Sequence, residues 1–141
     1  RKKNVKIYLP VDFICAKSID DNKTEIFDFK NIPSNYSCYD IGNKSVNLFK
    51  EIILKSKKII WNGPMGVFEI DKFSNGTFNI CDLVASSTHM GTFSLVGGGD
   101  SVASVKINNK EKNISFISTG GGALLEYIAS GSLPSLELIK S

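Results

Sequence analysis

The chain has 141 residues, 42% of them apolar and 22% charged, with a net charge of +3. That is enough for one ordinary domain, or most of one, with a real core. So modest a charge, not gathered into one basic block, gives no reason to expect a nucleic acid or a membrane surface as partner, and no apolar run approaches the ~18 residues of a membrane span.

The N-terminal "RKKNVKIYLPVDF" is too short and interrupted for a signal peptide, and its abrupt opening reads as the continuation of a longer chain. "VKIYL" (5–9) is strand-like and meets Pro10. "TEIFDF" (24–29) alternates more cleanly. "NIPSNYSCYDIGN" is rich in Pro, Ser, Asn and Gly and reads as a loop. "NKSVNLFKEIILKSKK" then places Val46, Phe49, Ile52 and Ile53 at helical spacing. "KIIW" is a short strand broken by "NGPMG", and "SNGTFNICDLVASSTHM" carries Phe78, Cys81, Val84 and Ala85 on one helical face. "TFSLV" and "ISFIS" are strands, each followed by three glycines and a helix, and Gly131 is placed to end the last helix. Cys15, Cys38 and Cys81 are scattered, with no CxxC pattern. They read as reduced thiols of a cytosol-like compartment, each most simply a small core residue.

Strands alternating with helices predict an α/β fold with three layers, a Rossmann-like, mainly parallel sheet with helices on both faces. Ligands of such sheets bind beyond the carboxyl ends of the strands. Both glycine triplets and "NGPMG" fall at strand ends, so parallel strands would open all three loops on one edge. A glycine in place of alanine costs about 0.5–1 kcal/mol, so six of them cost about 3–6 kcal/mol in all. One explanation is a pair of tight packed turns. The other is close approach of an anion to main-chain N–H groups at a helix start. Two triplets in the same context favour the anion.

The loops are not a Walker motif, since no Gly-Lys-Ser/Thr follows Gly97. They are not a dinucleotide fingerprint either, since Val102 and Leu125 stand where its third glycine belongs. Asp100 can cap the helix or hold a Mg²⁺ that escorts nucleotide phosphates. Ser101 can cap or touch a phosphate. Met65 and Val67 can line a slot for a base and Glu69 can bind a ribose; the competing reading makes Met65 and Val67 core and Glu69 a helix-start carboxylate. His89 is the only histidine, which leaves no histidine metal cluster, and it reads as a surface residue near a helix end.

Together "IIWNGPMGVFE", "SLVGGGDSVASV" and "ISTGGGALLEYI" resemble the phosphoglycerate kinase family in order and spacing, and "LPVDFICA" and "IPSNYSCYDIGNKSVNLF" fit the segments upstream. The resemblance is to the C-terminal part of that enzyme. It implies that residues 1–141 are a fragment of the C-terminal nucleotide-binding domain. The N-terminal acid-binding domain and the opening strands of the nucleotide domain are expected to lie outside it. It further implies reversible phosphoryl transfer from 1,3-bisphosphoglycerate to ADP, giving 3-phosphoglycerate and ATP, in a cytoplasmic enzyme that is monomeric at full length. By position, Asn62 resembles the phosphate-loop asparagine, Met65 falls at the adenine and Glu69 at the ribose. Gly98, Gly99, Asp100 and Ser101 resemble the nucleotide-phosphate loop, with Asp100 serving the Mg²⁺ of Mg-ATP or Mg-ADP. Gly120, Gly121 and Gly122 resemble the helix start that stabilises the phosphoryl group in flight.

Tyr39 stands where the family commonly has leucine beside the adenine, Phe116 replaces a common histidine, Ser101 replaces a threonine, and "SGSLPS" is a looser version of the usual ending. The 141 residues alone are expected to lack turnover. The alternative is a non-catalytic nucleotide-binding or interaction fragment.

Overall fold

A computed structural model describes residues 5–132. The elements run β1 Asp12–Ala16, β2 Glu25–Asp28, β3 Ser37–Ile41, α1 Asn43–Ile53, β4 Lys58–Asn62, α2 Asn75–His89, β5 Phe93–Gly97, α3 Gly99–Ile107, β6 Phe116–Ser118 and α4 Gly121–Ser130. Residues 133–141, with the second half of "SGSLPS", lie outside the described residues.

From β4 onward, strand and helix alternate as the apolar periodicity requires. β4, β5 and β6 form a parallel sheet in that order, with Trp61 beside Val96 and Val96 beside Ile117. Parallel neighbours need a crossover, and α2 and α3 supply the two crossovers. Side chains alternate across a strand, so Ile59, Trp61, Val96 and Ile117 share one face. There they pack with Ile80 and Val84 of α2 and Val102 and Val105 of α3 to make the core. Leu95 and Gly97 point the other way, and α4 starts on that side. A Cβ on Gly97 would come 2.5 Å from Cδ2 of Leu124. Helices thus flank both faces, as expected of a partial Rossmann-like α/β domain. The second face is only partly covered, since Ile60 is 51% and Phe116 56% exposed. Gly131 closes α4 in the left-handed region at φ 76°.

In the first part of the chain β2 and α1 fall where expected, but the other two strands depart from expectation. Residues 5–9 form no strand, and Val5, Ile7 and Leu9 are exposed. The strand lies after Pro10 instead, at β1. The segment that reads as a loop contains β3. β1 is central in a second, antiparallel sheet ordered β2-β1-β3. Cys15 and Cys81 are buried, but Cys38 is exposed, so it is not a core residue.

Candidate functional site

The parallel register brings three strand ends side by side. Asn62 pairs with Gly97, and Gly97 pairs with Ser118. The loops leaving them therefore open on one rim. The two glycine triplets touch there. A Cβ on Gly121 would stand 2.6 Å from Cα and 3.0 Å from N of Gly98. Gly98 itself has φ 93°, a conformation L side chains rarely adopt. The Asn62 side-chain amide lies between the triplets, its Nδ2 3.3 Å from a Cβ placed on Gly98 and 3.6 Å from one on Gly121. Packing therefore demands glycine at 98 and 121. At Gly99 and Gly122 it does not, because an added Cβ would meet no atom of the described residues within 4 Å.

Among the described residues, the starts of α1 to α4 divide into two kinds. α1 receives the buried Asp12 carboxylate, which accepts the N–H of Ser45 at 2.7 Å and of Lys44 at 3.1 Å. α2 receives the buried Asp40 carboxylate, which accepts the Gly76 N–H at 2.7 Å. Each carboxylate satisfies orphan donors and faces the positive end of a helix dipole. α3 and α4 instead begin on Gly98 and Gly120, whose side-chain-free caps make no such bond. Among the described residues, the helix starts with no carboxylate from another segment bonded to them are the two at the rim.

The loop after β4 is held by backbone hydrogen bonds to several elements. Gly63 N–H donates to the buried Ser101 hydroxyl at 2.6 Å. Met65 and Gly66 N–H both donate to Thr77 Oγ1, at 3.0 and 3.1 Å, and Val67 N–H donates to the Tyr39 carbonyl at 2.8 Å. Trp61 Nε1 donates to the Gly63 carbonyl at 2.7 Å. One device recurs: Ser45, Thr77 and Ser101 are each the third residue of their helix. Each buries a hydroxyl that accepts backbone N–H groups of another segment. Sequence reasoning missed Asp12, Asp40, Ser45 and Thr77; a hydroxyl in the first helical turn is the signal that marks two of them.

Of the expected site residues, Asn62, Gly98, Gly99, Gly120, Gly121 and Gly122 gather at the rim. Asp100 is exposed in the first turn of α3. Ser101 is turned inward as a tie to Gly63. Met65 packs against the core and lines an apolar cavity of about 330 Å³ with Trp61, Phe49 and Ile80. Glu69 is exposed on the turn beyond. Tyr39 stacks against the buried Phe73, ring centroids 4.8 Å apart.

No group of three or more His, Cys, Asp or Glu side chains converges as a metal cage among the described residues. A Mg²⁺ on a nucleotide keeps its waters and takes only one or two protein carboxylates beside the phosphates. A single exposed Asp100 at the rim fits that kind of ion.

Burial pushes the Asp40 carboxyl up from 3.8 to about 6, and the N–H bonds from Gly76 and Ile41 offset only part of this. The folded chain then binds a proton that the unfolded chain has released. The stability contributed by this group is highest below the unfolded value and declines as pH rises to about 6. Asp40→Asn is expected to shrink the loss of stability between pH ~4 and ~7 by on the order of 2–3 kcal/mol. Denaturant midpoints across that range check this; an unchanged slope contradicts it.

The phosphoglycerate kinase family model matches residues 1–131. The chain is 45% identical over 136 residues to phosphoglycerate kinase of Plasmodium falciparum, covering 95% of this chain and 33% of the relative. It is 43% identical over 141 residues to that of Finegoldia magna, covering 99% and 35%. The structure of phosphoglycerate kinase from Coxiella burnetii superposes with a TM-score of 0.86 at 39% identity, over 96% of this chain and 34% of that one. The chain thus spans about a third of the length of the relatives it matches. No helix among the described residues is long and apolar enough to cross a membrane. The match across nearly all of the chain, in sequence and in fold, makes it a member of the phosphoglycerate kinase family.

Proposed function

We propose that the protein carrying this chain is a cytoplasmic phosphoglycerate kinase that moves a phosphoryl group reversibly from 1,3-bisphosphoglycerate to ADP, and that this chain supplies part of the Mg-nucleotide site. The observation that carries the reading is the contact of Gly98 with Gly121, which sets two uncapped helix starts side by side with the Asn62 amide between them. Phosphoryl transfer spreads negative charge over equatorial oxygens, so fixed donors do most of the work.

In this reading the α3 start, with Gly98 and Gly99, donates backbone N–H groups to the nucleotide phosphates. The α4 start, with Gly120, Gly121 and Gly122, does the same for the migrating group, and Asn62 adds its side-chain amide. Ser101 keeps the loop in place through Gly63. Met65 offers an apolar wall to adenine, and Glu69 a carboxylate to ribose. Asp100 holds Mg²⁺, which when bound offsets phosphate charge. The acid substrate is held by the rest of the polypeptide, so the 141 residues alone are expected to give no turnover.

The test is ATP formation from 1,3-bisphosphoglycerate and Mg-ADP by the full-length protein. Wild type is expected to turn over, and Asp100→Asn to lose about 10–100-fold in kcat/KM. A full-length protein without the activity, or Asp100→Asn at wild-type rate, sinks the reading.

A further inference from the structure

The antiparallel sheet places two thiols against each other. Cys15 pairs directly with Cys38 across β1 and β3, just after a register irregularity at Ile14/Cys15. Such bulges re-aim side chains. The Cys15 Sγ–H donates to Cys38 Sγ at 3.3 Å. Residues directly opposite on antiparallel strands have Cα atoms about 4.5–5.5 Å apart, within the ~4.4–6.8 Å that a disulfide spans. The two partners differ in access. Cys15 is fully buried on the central strand, whereas Cys38 is exposed on its neighbour.

From this geometry we infer that Cys38 and Cys15 form a reversible thiol–disulfide modification site, with Cys38 the entry thiol, Cys15 the resolving thiol, and a low-molecular-weight disulfide such as oxidised glutathione as the oxidant. The Cys38 thiolate attacks one sulfur of the oxidant. A mixed disulfide forms, and one glutathione leaves and takes up the Cys38 proton. Cys15 then attacks Cys38 Sγ, the mixed bond breaks, and the second glutathione leaves with the Cys15 proton. Two protein thiols are oxidised and one glutathione disulfide is reduced to two thiols. Burial first, and the Cys38 contact second, push the Cys15 thiol up to about 12. Once Cys38 is in the mixed disulfide, burial alone still holds the Cys15 thiol up, and it slows the second step because the thiolate is the nucleophile.

The test incubates the full-length protein with oxidised glutathione, blocks remaining thiols in denaturant, and maps tryptic peptides. The expected product joins peptide 7–17, which holds Cys15, to peptide 31–44, which holds Cys38, with Cys81 still alkylated. Cys15→Ser should retain glutathione on Cys38. Cys38→Ser, at an exposed position, should lower oxidation of Cys15 at least about tenfold. A glutathione adduct that persists on Cys38 in wild type while Cys15 remains alkylatable, or a Cys38 that never reacts, overturns the inference.

Discussion

Thr77→Val is expected to destabilise the protein by roughly 2–4 kcal/mol. Valine keeps the volume and removes the oxygen. Two backbone donors depend on that oxygen, Met65 N–H at 3.0 Å and Gly66 N–H at 3.1 Å. Thr77 is fully buried, so water does not take over the role. The penalty is that of leaving two donors unpaired, about 1–3 kcal/mol each before relaxation. The loop between β4 and α2 should then loosen where it runs beside Asn62, and affinity for Mg-ADP should fall with it. Thr77→Ser, which keeps the oxygen, should recover most of the loss. Chemical denaturation of the three proteins checks this; equal stability of valine and serine variants would show that the hydroxyl is not what holds the loop.

Gly121→Ala should separate the two glycine loops. The new methyl would stand 2.6 Å from the Gly98 Cα and 3.0 Å from its nitrogen. Backbone cannot swing aside as a flexible side chain does, so α4 must shift away from α3. Overpacking of this kind costs about 1–3 kcal/mol. Displacing aligned donors from a reacting phosphoryl group costs at least about 100-fold in kcat. Gly122→Ala is its control, since that methyl meets no atom of the described residues within 4 Å. It should leave stability unchanged or raise it by up to ~1 kcal/mol, yet lower turnover at least about tenfold. Melting curves and kinetics on the full-length protein separate packing from ligand approach.

The second half of the fold was legible because its signals are local. Apolar runs ending in glycine triplets, followed by helical spacing, fix β5–α3 and β6–α4. The parallel register then places both triplets on one rim. In the first half β2 and α1 were legible too, but β1 and β3 were not, for an equally physical reason. β3 reads "SCYDI", with Asp40 buried at 2% exposure and Cys38 exposed, the reverse of what polarity suggests. Asp40 is buried because it caps a helix that begins 35 residues later, and Asp12 does the same for α1 from 31 residues away. No window of sequence contains both partners of such a bond. Ser101 shows the limit within the site. Local sequence offers its hydroxyl as a cap or a phosphate contact, but cannot show that it accepts the N–H of Gly63, 38 residues earlier in the chain.

The most direct test of these conclusions is calorimetric titration of Mg-ADP into the full-length protein carrying Gly99→Ala. No neighbouring atom among the described residues requires glycine at this position. If its bare backbone is there to let phosphate reach the α3 amides, the variant should fold as well as wild type and bind Mg-ADP at least about tenfold more weakly. Wild-type affinity in a normally folded variant would contradict the assignment of the rim to nucleotide phosphate.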